Sequence, residues 1–136
     1  MDAALKERAS GIRMLILDVD GVLTDGKLYF DHSGNEMKAF NTRDGLVMKA
    51  LQKVGIEIAV ITGRKSEAVA KRMDQLGVQH DYQGREDKLD AFLDLLQKTG
   101  LDARQTCFAG DDWIDLPVLM RVGLAVSVAD AEERVK

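Results

Sequence analysis

The chain has 136 residues, 46% of them hydrophobic and 31% charged, and its 19 Lys and Arg against 23 Asp and Glu give a net charge of −4. This balance is typical of one folded domain, and we expect residues 1–136 to form it. An acidic chain is poorly suited to bind nucleic acid or an anionic membrane surface. Cys107 is the one cysteine, so an internal disulfide is excluded, and without an export signal or long apolar run the sequence predicts a cytoplasmic protein.

Short apolar runs alternate with helical patterns along the chain. The runs predict buried strands over residues 12–17, 56–61, 78–82, 106–109 and 124–128. Apolar residues at helical spacing predict core-facing helix stripes formed by Leu46, Val47, Ala50, Leu51 and Val54, by Val69, Met73 and Leu76, and by Leu89, Phe92, Leu93 and Leu96. Alternating strands and helices predict an α/β fold: a Rossmann-like, mostly parallel sheet with helices on both faces.

Residues 26–41 interrupt this alternation. Two strand-like arms, 27–31 and 36–40, flank the sequence His-Ser-Gly-Asn at 32–35, which predicts a β-hairpin projecting between the first strand and the first crossover helix. A projecting hairpin cannot bury both of its faces against one core. We therefore expect it to pack on other subunits through Leu28, Tyr29, Phe30, Met37 and Phe40.

Polar side chains follow the predicted strands at the edge of the sheet where ligands bind in such folds. They supply carboxylates, a hydroxyl, a guanidinium and an ammonium group, a combination suited to a phosphoryl group beside a metal ion. The residues concerned are Asp18, Asp20, Thr62, Arg64, Lys88, Asp111, Asp112 and Asp115, and Gly63 lies between Thr62 and Arg64.

Crowded carboxylates at this edge predict a magnesium site. Like charges raise one another's pKa, and a hard divalent cation such as Mg²⁺ relieves the repulsion. The pattern favours Asp18 and Asp111 as direct ligands, with Asp112 or Asp115 holding waters or orienting neighbouring groups. Asp115 precedes Leu-Pro, so it is equally suited to begin a helix.

The order of these segments resembles the haloacid dehalogenase superfamily of phosphatases. The resemblance is carried by LDVDGVLTDG at 17–26, TGR at 62–64, Lys88 and GDDWID at 110–115. Within that superfamily, these segments and FNTRDG at 40–45 are similar to the 3-deoxy-D-manno-octulosonate 8-phosphate phosphatases. The resemblance implies a Mg²⁺-dependent phosphoric monoester hydrolase of lipopolysaccharide precursor synthesis. It also implies a core without a cap domain and a homotetramer in which hairpins complete the sites.

The same resemblance implies a role for each residue. Asp18 would attack phosphorus to form an aspartyl-phosphate, and Asp20 would protonate the leaving oxygen and later activate water. Thr62 and Lys88 would bind the phosphoryl group, while Asp18, the backbone carbonyl of Asp20 and Asp111 would hold Mg²⁺.

Two arginines are the candidates to recognise the rest of a phosphorylated sugar acid. A guanidinium fork suits a carboxylate, so Arg43 and Arg64, the latter beside Gly63, are assigned to substrate binding. A structural alternative for Thr62 is to cap a helix beginning near Lys65. The sequence does not decide whether Trp113 lines the pocket.

Three other functions fit parts of this pattern. A phosphatase of a nine-carbon keto sugar acid 9-phosphate would use the same motifs, and phosphatase-like domains also serve as noncatalytic tetramerisation modules. A response-regulator receiver domain also has a Mg²⁺ site and a phosphorylated Asp, but its lysine comes last, whereas Lys88 precedes Asp111 here.

Overall fold

The computed structural model describes residues 2–110 and 115–127, and its main feature is a five-stranded sheet. The elements in chain order are α1 (Ala3–Ser10), β1 (Met14–Leu17), β2 (Tyr29–Phe30), β3 (Glu36–Met37), α2 (Thr42–Lys53), β4 (Glu57–Ile61), α3 (Glu67–Gln75), β5 (His80–Tyr82), α4 (Lys88–Thr99), a 3₁₀ helix (Ala103–Gln105), β6 (Thr106–Gly110), α5 (Leu116–Leu119) and β7 (Leu124–Ser127). The sheet order is β5-β4-β1-β6-β7, and every neighbouring pair is parallel. The predicted α/β fold is confirmed; the last residue of the fifth predicted strand, Val128, lies outside the described residues.

Alternate residues of the central strands pack into two separate cores. Met14 and Ile16 of β1 join Phe92 of α4 on one face of the sheet, while Leu17 joins Met48 of α2 on the other. This division follows from the strand geometry, in which successive side chains point to opposite faces. Helices on both faces therefore hold the β1 carboxyl end in a fixed position at the centre of the sheet.

The apolar face predicted for α2 is wrong in part. Leu46, Val47 and Val54 are exposed, and the helix buries Gly45 and Met48 instead. Gly45 lies against the side chains of Arg72 on α3 and of Leu76 at its C-cap, so this turn of α2 packs closely on α3. On α4, Leu93 is likewise exposed, whereas Ala91, Phe92 and Leu95 are buried.

The hairpin is present but its strands are short. Tyr29 pairs with Met37, and Phe30 pairs with Glu36, in an antiparallel two-stranded sheet. Asp31 organises the turn, since its Oδ1 accepts hydrogen bonds from the backbone N–H groups of Ser33 and Asn35 at 2.9 Å. A short, side-chain-braced hairpin thus occupies the segment between β1 and α2.

Helix α1 was not among the predicted elements because it buries none of its residues and has no apolar face. Its start is fixed by the Asp2 carboxylate, which accepts hydrogen bonds from the backbone N–H groups of Ala4 and Leu5. Its end is tied to the sheet by Arg8, whose Nη2 donates to the Gly123 carbonyl at 3.0 Å.

Candidate active site

Three buried charged residues meet at the carboxyl edge of the sheet. Asp18 follows β1 directly, and its Oδ1 accepts a hydrogen bond from the backbone N–H of Val19 at 2.8 Å. The Nζ of Lys88 lies 3.2 Å from Oδ2 of Asp18 and donates to Oδ1 of Asp115 at 2.5 Å. The structure thus brings Asp18, Lys88 and Asp115 into one cluster, and none of the three is more than 6% exposed.

The starts of helices α4 and α5 position Lys88 and Asp115 so that their side chains meet. Lys88 is the first residue of α4, and the preceding Asp87 caps that helix by accepting from the backbone N–H of Asp90 at 3.1 Å. Asp115 stands at the start of α5, yet its side chain makes no cap hydrogen bond and accepts from Lys88 instead. Gly110 leaves room for this carboxylate, since a Cβ there would lie 2.6 Å from Oδ2 of Asp115.

The electrostatics of this cluster favour the charged form of Lys88 and disfavour the charged form of Asp18. Burial raises the pKa of Asp18 from the ordinary 3.8 to about 7, against the attraction of Lys88 and with added repulsion from Asp115. Burial also opposes the charge on Lys88, but Asp18 and Asp115 outweigh it and raise the lysine pKa above its usual value. Lys88 therefore stays an ammonium group, and its single charge does not fully offset the burial of Asp18.

The donor set fits a divalent cation. A cation beside Asp18 would favour the carboxylate form that burial now disfavours, and Mg²⁺ prefers hard oxygen ligands. No group of three or more His, Cys, Asp or Glu side chains that could hold a metal occurs within residues 2–110 and 115–127. Of the predicted ligands, Asp18 and the Asp20 carbonyl belong to the described part of the chain, and Asp111 lies outside it.

The raised pKa of Asp18 predicts that Mg²⁺ affinity depends on pH. The carboxylate is the form of Asp18 that binds metal, so below about pH 7 protons compete with Mg²⁺. The dissociation constant for Mg²⁺ should then rise roughly tenfold for each unit by which the pH falls. Titration calorimetry with Mg²⁺ at several pH values checks this expectation. Asp18→Asn, whose amide does not ionise, should bind Mg²⁺ weakly at every pH. A Mg²⁺ affinity of the unmodified protein that does not change with pH in this range would contradict the assignment of Asp18 as a ligand.

Asp20 belongs to a second network that reaches into the hairpin. Its Oδ1 accepts a hydrogen bond from Nζ of Lys38 at 2.6 Å, and the same Nζ lies 3.3 Å from Oε1 of Glu36. Oε2 of Glu36 in turn accepts a hydrogen bond from Nη2 of Arg64 at 2.8 Å. The predicted acid–base residue and one of the predicted recognition arginines are thus linked through two hairpin residues.

Thr62 lies at the end of β4 in a buried position beside Gly63. Its backbone N–H donates to the Tyr82 carbonyl at 2.9 Å, and its Oγ1 accepts from the backbone N–H of Arg64 at 3.4 Å. The alternative that Thr62 caps α3 is wrong, because Ser66 is the N-cap of that helix. A buried hydroxyl at the end of the strand neighbouring β1 is suited to contact a group bound at Asp18.

Among the described residues, Arg43 joins neither network. Arg43 lies exposed in the first turn of α2, whose N-cap is Asn41. Asp112 and Trp113 lie outside the described residues.

Sequence reasoning missed Glu36 and Lys38. Their signal was the spacing of two, which places both side chains on one face of a hairpin arm. The direction in which that face points depends on how the hairpin packs, and the local pattern does not contain that information.

Comparison with known proteins identifies the family to which the chain belongs. The haloacid dehalogenase-like hydrolase family matches residues 41–123, and the chain belongs to that family. A relative named 3-deoxy-D-manno-octulosonate 8-phosphate phosphatase KdsC, from Escherichia coli strain B, is 49% identical over 131 residues, which are 96% of this chain and 70% of that protein.

Two solved structures extend the similarity. A crystal structure of 3-deoxy-D-manno-octulosonate 8-phosphate phosphatase from Yersinia pestis has a TM-score of 0.97 and 44% identity, and the match covers 99% of this chain and 73% of that one. The enzyme of the same name from Moraxella catarrhalis, in complex with magnesium, phosphate and KDO, has a TM-score of 0.96 and 37% identity, and the match covers 100% of this chain and 78% of that one.

Across the described segments, the structure contains no helix long and apolar enough to cross a membrane.

Proposed function

We propose that this protein is a Mg²⁺-dependent phosphatase that hydrolyses 3-deoxy-D-manno-octulosonate 8-phosphate to the free sugar acid and phosphate. The observation that carries the proposal is the buried cluster of Asp18, Lys88 and Asp115 at the carboxyl edge of the sheet. Similarity over 96% of the chain to a phosphatase of that substrate supports the choice of sugar. The reaction belongs to lipopolysaccharide precursor synthesis, and we place it in the cytoplasm.

The first half-reaction transfers the phosphoryl group to Asp18. An oxygen of the Asp18 carboxylate forms a bond to phosphorus while the bond from phosphorus to the sugar oxygen breaks. The leaving oxygen takes a proton from the carboxyl group of Asp20, so the sugar acid departs as an alcohol and Asp20 becomes a carboxylate.

The second half-reaction returns the enzyme to its starting state. Asp20 accepts a proton from water, the water oxygen bonds to phosphorus, and the acyl phosphate bond to Asp18 breaks to release phosphate. Lys88, fixed between two carboxylates, offsets the charge of Asp18 and of the phosphoryl oxygens, and Thr62 supplies a hydroxyl donor. Mg²⁺, when bound by Asp18, the Asp20 carbonyl and Asp111, supplies further charge neutralisation.

Substrate recognition is assigned to groups around this centre. Arg64 is held at the rim by Glu36 with its guanidinium about half exposed, a position from which it can meet the carboxylate of a keto acid. Gly63 and Arg43 complete the proposed binding set, and Asp112 and Asp115 act as supporting residues around the metal and Lys88. The presence of both Asp18 and Lys88 favours an enzyme over a noncatalytic tetramerisation module.

We further propose that residues 1–136 form one phosphatase domain without a cap and that four copies assemble through their hairpins. Leu28, Phe30 and Met37 support this proposal, because each is at least half exposed in the single chain.

A substrate panel tests the proposed function. We expect kcat/KM for 3-deoxy-D-manno-octulosonate 8-phosphate to exceed that for glucose 6-phosphate by at least tenfold, since one charged contact contributes on the order of 2 kcal/mol. Arg64→Ala should remove most of this preference, with a larger loss on the keto acid phosphate than on glucose 6-phosphate.

The same panel decides between substrates. Equal kcat/KM for glucose 6-phosphate and the eight-carbon keto acid phosphate would contradict the substrate assignment. Preference for a nine-carbon keto acid 9-phosphate would instead identify the alternative phosphatase.

A further inference from the structure

Lys38 is a hairpin residue whose side chain is almost fully covered. Its side chain is 5% exposed, although Leu28, Phe30 and Met37 of the same hairpin are at least half exposed. Lysine is rarely buried this deeply without a partner, because an ammonium group removed from water loses its hydration. The burial of Lys38 therefore depends on the groups that its Nζ contacts.

Those groups are the carboxylates of Asp20 and Glu36. The distance from Nζ to Oδ1 of Asp20 is 2.6 Å, which is that of a charge-assisted hydrogen bond, and the distance to Oε1 of Glu36 is 3.3 Å. Glu36 is itself fixed on its other oxygen by Arg64 at 2.8 Å. Lys38 thus connects the proposed acid–base residue to a hairpin that begins several residues after it.

The contact restrains how the Asp20 carboxyl group can rotate. The Asp20 side chain is about 30% exposed in a turn that follows the buried Asp18 and Val19, so burial alone does not fix its rotamer. A donor on Oδ1 assigns the other oxygen, Oδ2, to the transferable proton. General acid catalysis requires that this proton lie within hydrogen-bond reach of the leaving oxygen.

We propose that Lys38 is a positioning residue that holds the Asp20 carboxyl group in the orientation needed to protonate the leaving alcohol. The inference rests on the proposed phosphatase chemistry and extends it to a residue of the hairpin. In the step concerned, the proton moves from Oδ2 of Asp20 to the sugar oxygen as the phosphorus–oxygen bond breaks. Lys38 neither gains nor loses a proton, and its part is to keep Oδ1 bound.

The test compares two leaving groups in Lys38→Met. A sugar alkoxide needs a proton to depart, whereas the nitrophenolate of p-nitrophenyl phosphate departs without one. The ratio kcat/KM includes only the steps through release of the alcohol, so later hydrolysis of the aspartyl-phosphate does not enter it. We expect kcat/KM for the sugar acid phosphate to fall about 100-fold, and that for the aryl phosphate to fall less than about threefold.

Two further variants separate positioning from a general structural role. Lys38→Arg keeps a cationic donor and should recover part of the lost activity toward the sugar phosphate. Lys38→Met added to Asp20→Asn should lower that activity no further than Asp20→Asn alone, because both changes disable one unit. Lys27→Met, which removes an exposed lysine from the same hairpin, is the matched control and should retain full activity.

The outcomes decide the proposal. Equal losses on both substrates, or no loss on either, would overturn the positioning role. If Lys38→Met does not fold, as judged by its melting temperature, Lys38→Gln replaces it under the same criteria. If the unmodified protein prefers another alkyl phosphate, the substrate assignment fails, and the leaving-group comparison is made with that ester and still decides the role of Lys38.

Discussion

Asp18→Asn is expected to abolish phosphatase turnover and leave the fold intact. The amide has the shape of the carboxylate but cannot form an acyl phosphate, so kcat should fall by roughly 10⁴-fold or more, as when other covalent nucleophiles are removed. Phosphate release measures the loss. Intact mass measured after acid quenching should show a phosphorylated chain in the unmodified protein and none in the variant.

The direction in which Asp18→Asn changes the stability follows from the pKa of Asp18. The folded-state pKa of Asp18, about 7, lies above the ordinary 3.8, so its contribution to stability is present below the lower value and is lost as pH rises through the higher one. Asparagine has no charge to desolvate. At about pH 8 and without Mg²⁺, Asp18→Asn should therefore melt at the same temperature as the unmodified protein or above it.

An exposed carboxylate supplies the control for this experiment. Asp74→Asn removes one negative charge from an exposed position on α3 and should keep full turnover. Full activity in Asp18→Asn, or activity that a metal chelator does not diminish, would contradict the aspartyl-phosphate mechanism.

The sequence predicted the sheet and the cluster at its edge because both follow from local patterns. Apolar runs such as 56–61 identified the strands, and parallel strands necessarily bring their carboxyl ends to one edge. Asp18 and Thr62 could therefore be placed together without knowledge of the strand order. The simultaneous contact of Lys88 with Asp18 and Asp115 could not be predicted, since it depends on how α4 and α5 pack on the same face of the sheet.

Other features were beyond sequence reasoning for identifiable reasons. The predicted stripe on α2 followed hydrophobicity, which selects Leu46 and Val47. The helix instead buries Gly45 and Met48, and Gly45 lies against the side chains of Arg72 and Leu76. Hydrophobic patterns cannot detect a face of this kind. Lys38 was missed for a related reason. A lysine on a hairpin is expected to be solvated, and its contact with Asp20 depends on tertiary packing.

Replacing Leu28 and Phe30 by Asp is expected to dissociate the proposed homotetramer. Both side chains are more than half exposed in the single chain, so their replacement leaves the two cores untouched. Burial of each in an interface would contribute about 1.5–3 kcal/mol, and the loss is repeated in every copy of a symmetric assembly. Sedimentation should show smaller species that remain folded, because the cores remain, and that melt at a lower temperature than the unmodified protein, because the stabilisation from the interface is lost.

Dissociation should also lower kcat/KM for the sugar acid phosphate, although neither Leu28 nor Phe30 belongs to the proposed phosphoryl-binding set. The hairpin that would lose its neighbours carries Glu36 and Lys38, which hold Arg64 and Asp20, and an isolated two-stranded hairpin is only marginally stable in water. Leu93→Asp is the matched control, because that leucine is 52% exposed on α4, away from the hairpin. Full activity in a dissociated variant, or a fully active monomer of the unmodified protein, would show that the hairpin needs no second copy to hold these groups in place.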